Sequence, residues 1–172
     1  MIIEKVILVD ENDDPVGECE KLEAHRNGLL HRAFSVFIFN HKGDMLLQKR
    51  AAGKYHSPSL WSNACCGHPR PGEETISAGQ RRLKEELGIH CELQEKYNFI
   101  YRVKFENGLA EHEFDHILVG YFDGKPQPDP AEASDWKTIA VNELMMDLQI
   151  NPGNYTHWFK LCMNDLDKFN LI

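Results

Sequence analysis

The stretch from Trp61 to Ile89, WSNACCGHPRPGEETISAGQRRLKEELGI, constrains this chain more than any other. It opens on two adjacent cysteines followed by Gly67-His68-Pro69, turns at Arg70-Pro71-Gly72 and continues into a charged segment closed by Gly88. Local chemistry predicts a helix there. Pro71 and Gly72 punctuate the turn, and Glu73 and Glu74 follow where acids favour a helix N-terminus. Gly88 suits the left-handed cap in which a side chain would be strained. Ile76, Leu83 and Leu87 recur at helical spacing and predict a buried stripe. Arg82 and Glu86 are four residues apart and share a face, while Glu85 lies about 100° round the helix from Glu86. On charge alone, such a helix is as readily a solvated face laced with ion pairs as a functional one.

The 172 residues are expected to form one domain over 1–172, and a hydrophobic content of 42% supplies its core. A net charge of -8 argues against non-specific nucleic-acid binding, so a polyanionic ligand needs a local basic pocket or a metal. No segment is long and apolar enough to span a membrane. The N-terminal MIIEKVILVD carries acids inside its apolar run and lacks a cleavage pattern. Five cysteines, two of them adjacent, do not make a disulfide framework, and a reducing cytoplasm is the simplest expectation.

Along the chain, Ile2 to Val9 predicts a first strand and Asp10 to Gly17 a turn, too poor in ligand spacing for a calcium loop. Lys21 to His31 is polar and bends at Asn27-Gly28, a loop able to converge His25 and His31 on one point. Ala33 to Phe39 and Met45 to Lys49 predict two strands joined by a hairpin loop. Lys21, Arg50, Lys54 and Arg82 are either ordinary surface cations or a basic pocket on an acidic protein. Phe99 to Phe105 and Glu111 to Phe122 predict further strands. Strand period sets Glu111, Glu113 and Asp115 on one face, which then turns apolar at Ile117 and Val119. Asp123 to Pro130 is a Pro-rich connection. Val141 to Leu148 predicts a short helix and Asn154 to Phe169 a longer one with Trp158, Leu161, Cys162, Leu166 and Phe169 in a stripe. As a group, His25, His31, His68, Glu111 and Glu113 offer the nitrogen and oxygen donors of a first-row divalent ion.

Residues 67–89 resemble the Nudix box: Gly, five residues, Glu, seven residues, Arg-Glu-apolar-any-Glu-Glu-any-Gly-apolar. Gly67, Glu73, Arg81, Leu83, Glu85, Glu86, Gly88 and Ile89 match it. Arg82 departs, standing where the box has Glu. A cation in that acid run weakens a hydrolytic multi-metal centre and makes Arg82 a candidate phosphate contact. EKLEAH, LLHRAFS, LLQKRA, WSNACCGHP, the modified box and EHEFDHIL follow one another from residue 1 to about Trp158. In that order they resemble the type I isopentenyl-diphosphate Δ-isomerases.

That resemblance implies an α/β (α+β) Nudix fold, a mixed sheet flanked by helices, acting on a small diphosphate as a monomer or homodimer, with no nucleic-acid or membrane partner. It implies that His25, His31, His68, Glu111 and Glu113 hold one Mn²⁺, Mg²⁺ or Zn²⁺. Cys66 corresponds to the catalytic thiol and Glu113 to the catalytic acid. Glu86, with the Cys66 carbonyl, corresponds to the holder of a Mg²⁺ that accompanies the diphosphate. Lys21, Arg50, Lys54 and Arg82 correspond to diphosphate contacts, and Tyr101 and Trp158 to pocket aromatics. Cys65 has no such counterpart and reads as a small buried residue. The implied reaction is a 1,3-allylic isomerisation through a tertiary carbocation. A Nudix diphosphohydrolase is the first rival, opposed by Arg82 and the Cys66/His68 pair. A non-catalytic metal-binding or structural protein is the second.

Overall fold

The long apolar run at residues 33–39 has no polar alternation, the pattern of a strand covered on both faces. In the computed structural model, which describes residues 4–54 and 56–169, it lies at the centre of the sheet. The chain runs β1 (Lys5–Val9), β2 (Pro15–Glu20), α1 (Lys21–Asn27), β3 (His31–Phe39), β4 (Met45–Arg50), β5 (Trp61–Ser62), β6 (Cys65–Gly67), α2 (Thr75–Leu87), β7 (Leu93–Lys104), β8 (Ala110–Tyr121), β9 (Ala133–Ile139), α3 (Val141–Ile150) and α4 (His157–Asn164). Tight 3-10 turns at Pro152–Asn154 and Leu166–Phe169 flank α4.

One mixed sheet joins these strands. β3 pairs antiparallel with β1, β4 and β6 and parallel with β8. The two faces follow the strand period of two. Phe34, Val36, Ile38, Leu46 and Leu118 pack against Ala78, Leu83 and Leu87 of α2. Phe37, Phe39, Met45, Leu47, Ile117 and Val119 pack against Leu144 of α3 and Trp158, Phe159 and Cys162 of α4. The expected mixed sheet between helices is therefore the observed architecture.

Several elements differ from their sequence expectation, each for a local reason. The first strand is seen from Lys5; Ile2 and Ile3 of the expected span lie outside the described residues. Pro15 and Gly17 belong to β2 rather than to a turn, since on this edge strand Pro15 opens the strand. Residues 21–27 form a helix instead of a loop, too short for its apolar period to show. Ile76 is 38% exposed, so the buried stripe of α2 is carried by Ala78, Gly79, Leu83 and Leu87. The C-terminal helix is shorter than expected: α4 stops at Asn164 and a separate 3-10 turn buries Phe169. β5, β6 and β9 had no counterpart in the sequence reading.

Gly28 matters to the site because it ends α1 and returns the chain into β3. Its φ is 61° and its N–H bonds the Ala24 carbonyl, a left-handed cap. Gly28→Ala is expected to lower stability by about 1–2 kcal/mol, the cost of that conformation for an L side chain. A lower denaturant midpoint at unchanged slope would show it; an unchanged midpoint would contradict it.

Candidate active site and metal centre

The site is built where α1, β3, β6 and β8 meet. Lys21 and His25 lie one helical turn apart on α1, and the Gly28 cap brings His31 in at the first position of β3. In the parallel register His31 stands opposite Glu113 of β8. His68 follows β6 directly, in the Cys66-Gly67-His68 run that lies against Phe34 and Ser35 of β3. Helix and strand, not a loop, thus converge the two upstream histidines.

One ligand atom from each of His25, His31, His68 and Glu113 falls within 4.8 Å of every other. The Nε2 atoms of His68, His31 and His25 lie 3.1, 3.6 and 3.9 Å from Glu113 Oε1. His25 Nδ1 donates to the Lys21 carbonyl and His31 Nδ1 to the Leu29 carbonyl, both at 2.8 Å. Those bonds fix the tautomer that turns the Nε2 lone pairs inward, as metal-ligating imidazoles require. Burial lowers the pKa of His25 and takes His68 to about 4, so both stay in the neutral, ligating form near pH 7. Burial alone would raise Glu113, but the imidazoles crowding Oε1, with His68 able to donate its Nε2–H at 3.1 Å, hold it well below the usual carboxylate range. This donor set fits a divalent metal ion.

Glu111 is buried but stands outside the four-residue group. Tyr101 Oη ties the two acids together: it donates to Glu113 Oε2 at 2.7 Å and lies 3.1 Å from Glu111 Oε2. Burial and the adjacent Glu113 charge raise the pKa of Glu111 well above its usual value.

A cavity of about 270 Å³ opens beside this group. Lys21, Arg50, Lys54, Arg82, His25, Cys66, His68, Glu86, Tyr101, Glu111, Glu113 and Trp158 all line it. Of the site residues read from sequence, only His31 does not reach its wall. The four cations thus form a pocket and are not scattered surface charges.

The adjacent cysteines part company by strand alternation. Cys65 opposes Val36 and is fully buried in the core on the α2 side; Cys66 opposes Ser35 and faces the cavity. Burial pushes the Cys66 thiol far above its ordinary value, so it is protonated. Asn63 holds it: the side-chain amide nitrogen donates to Sγ at 3.1 Å, and Oδ1 lies 3.2 Å from the same sulfur. Oδ1 also accepts from Trp158 Nε1 at 3.3 Å, so one buried amide orients both the thiol and the indole. Ser35 Oγ, 3.5 Å from Sγ, donates to Asp115 at 2.9 Å.

The box residues divide into two roles. Arg81 grips Glu73 through Nε at 2.7 Å and Nη2 at 2.9 Å, fastening the turn after His68 to α2. Arg82 turns to the cavity, bonding Glu86 at 2.6 Å and Glu85 at 2.7 Å. Glu86 also accepts from Gln48 at 2.8 Å.

Asn63, Ser35, Asp115, Glu132 and His56 belong to this neighbourhood and were missed as site residues. Asp115 alone had a signal, its place on the Glu111/Glu113 face. His56 lines the cavity, edge-on to Trp158 at 5.6 Å, with burial and Arg50 lowering its pKa to about 3.

His68→Ala is expected to lower affinity for a divalent ion by at least the roughly 10–100-fold typical of losing even an outer-shell partner. Metal analysis of purified protein after dialysis measures it. Full retention of a tightly held ion would remove His68 from the ligand set.

The family model for the Nudix domain matches residues 29–159. "Isopentenyl-diphosphate Delta-isomerase 2" of Aromatoleum aromaticum is 51% identical over 94% of this chain and 85% of its own length. "Isopentenyl-diphosphate Delta-isomerase" of Burkholderia multivorans is 54% identical over 93% of this chain and 90% of its own. Among solved structures, DR0079 from Deinococcus radiodurans superposes with a TM-score of 0.72 at 20% identity, covering 86% of this chain and 90% of that one, a likeness of fold. With a Nudix model matching most of its length and relatives at this identity along nearly all of it, the chain belongs to the isopentenyl-diphosphate Δ-isomerases of the Nudix superfamily.

Proposed function

We propose that this cavity interconverts isopentenyl and dimethylallyl diphosphate by adding a proton at one carbon and removing one from another. The observation that carries this reading is the meeting, in a single cavity, of a thiol, a carboxylate, an indole and four cations: Cys66, Glu113, Trp158, Lys21, Arg50, Lys54 and Arg82. A hydrolase needs the acid run of the box to activate water at phosphorus. Here Arg82 interrupts that run and ion-pairs with Glu85 and Glu86.

The cations hold the diphosphate, and the phosphate bonds stay intact. A proton added to the terminal methylene carbon makes a tertiary cation on the branched carbon. Loss of a proton from the carbon nearer the diphosphate moves the double bond. Cys66 and Glu113 are the pair that serves these two transfers. The reaction is reversible, so the group that donates in one direction accepts in the other. Asn63 holds the thiol and Tyr101 holds the carboxylate, which keeps both in place between transfers. Water would capture the cation, so its exclusion is part of the chemistry, and Tyr101 and Trp158 are both buried. Trp158 can stabilise the cation through its ring face by about 2 kcal/mol when desolvated. The Arg50 guanidinium, 5.1 Å from that ring's centroid, illustrates its affinity for positive charge.

His25, His31, His68, Glu111 and Glu113 would hold one Mn²⁺, Mg²⁺ or Zn²⁺, and Glu86 with the Cys66 carbonyl a Mg²⁺. When bound, these ions neutralise the diphosphate and orient Glu113. The same reading takes residues 1–172 as one Nudix-type domain in the cytoplasm, working as a monomer or homodimer. One sheet drawing strands from Lys5 to Ile139 and five free cysteines support it, and no helix among the described residues is long and apolar enough to cross a membrane.

Cys66→Ala is expected to fold and to lose isomerase activity by a factor of about 10²–10⁴, the scale of a positioned acid or base. Cys65→Ala should keep activity, since its side chain only fills core. Wild-type turnover by Cys66→Ala beside a dead Cys65→Ala would assign the thiol wrongly. Nucleoside diphosphate derivatives should show negligible hydrolysis; rapid, saturable cleavage without isomerisation would make the protein a diphosphohydrolase.

A further inference from the structure

Lys21, Lys54 and Arg82 each pair with a resident carboxylate, and one carboxylate serves two of them. Glu132 Oε2 contacts Lys54 Nζ and lies 3.3 Å from Arg82 Nη2. Its backbone is fixed on both sides. The Glu132 carbonyl accepts from Ala51 N at 3.0 Å, its N–H donates to the Asp129 carbonyl at 2.9 Å, and Asp129 N donates to the Glu86 carbonyl at 2.9 Å. The side chain is thus held between the loop after β4, which carries Lys54, and the end of α2. It lines the cavity and is 22% exposed. Partial burial would raise its pKa, but Lys54 and Arg82 hold it below the usual range, so it is an anion at neutral pH.

We infer that Glu132 is a built-in counter-charge that competes with the diphosphate for Lys54 and Arg82 and so limits how tightly substrate and product are held. The inference rests on the reading of this cavity as a diphosphate site. Isopentenyl and dimethylallyl diphosphate carry the same diphosphate. A stronger grip on it stabilises substrate, transition state and product alike; it cannot speed the proton transfers and it slows product release. A carboxylate that must give up its two cations to the diphosphate weakens that shared grip. It leaves contacts to the reacting carbons untouched.

The test measures binding of inorganic diphosphate by calorimetry, at one fixed Mg²⁺ concentration, to wild type, Glu132→Gln, Glu132→Ala and Glu85→Gln. Removing a like charge a few ångströms from the anion should tighten binding by roughly tenfold or more in both Glu132 variants. The KM for isopentenyl diphosphate should fall with it. Such a gain cannot come from damage to the fold. Glu85 also touches Arg82, but it is 40% exposed and does not line the cavity, so Glu85→Gln should stay within about twofold of wild type. Unchanged or weaker binding in the Glu132 variants, with wild type binding normally, would overturn the inference and make Glu132 a holder of the two cations. Equal tightening by Glu85→Gln would overturn it as well, because the effect would then be general charge. If inorganic diphosphate did not bind wild type in competition with substrate, the diphosphate reading of the cavity would fall first.

Discussion

The site depends on the register of β3 against its two neighbours. Parallel pairing with β8 sets His31 beside Glu113, and antiparallel pairing with β6 sets Ser35 beside Cys66. A slip of one residue in either pairing would turn side chains to the opposite face. In β6 it would bring Cys65 to the cavity and send Cys66 into the α2 core. In β8 it would replace Glu113 with a residue pointing away from the histidines. The register is held by burial on both faces of β3, where Phe34, Val36 and Ile38 serve one core and Phe37 and Phe39 the other. Packing that has no chemical role thereby fixes the placement of thiol, imidazole and carboxylate.

The second constraint is electrostatic. A chain of net charge -8 is suited to a small polyanion only where its cations are gathered. The fold gathers Lys21, Arg50, Lys54 and Arg82 from α1, the end of β4, the loop after it and α2. Carboxylates in the cavity wall moderate the excess charge: Glu4 on Lys21, Glu132 on Lys54, and Glu86 and Glu132 on Arg82. At the box position where the pattern has an acid, Arg82 places a cation in the cavity wall, paired with Glu86. Glu73 and Arg81 keep a structural role by pinning the turn that carries His68.

Much of this was legible in the sequence because it is periodic or because its spacing is distinctive. The helix over 75–87 announced itself by its turn, its charges and its Gly88 cap, whose φ is 64°. Alternation in EHEFDHIL put Glu111, Glu113 and Asp115 on one face, where Tyr101 and Ser35 now meet them. What stayed illegible has no period. α1 has seven residues, so His25 and His31 read as parts of a loop. β5 and β6 have two and three residues, too few for alternation to appear. Asn63 is a buried polar residue in a short stretch without a period, and its role exists only because Cys66 and Trp158, three and 95 positions away, close around it. Glu132 sits just past the Pro-rich connection, where an isolated acid carries no signal until the fold sets it between Lys54 and Arg82. Ile76 shows the opposite failure, a residue on the right period that lies past the edge of the core.

The central claim is that this cavity moves protons on carbon while leaving the diphosphate intact. Incubating the wild-type enzyme with isopentenyl diphosphate and Mg²⁺ in D₂O, followed by deuterium and phosphorus NMR, tests it most directly. The account predicts dimethylallyl diphosphate that has gained solvent deuterium at the carbon that receives the proton, with no release of phosphate or diphosphate. Product free of deuterium, or phosphate released in place of isomerisation, would contradict it.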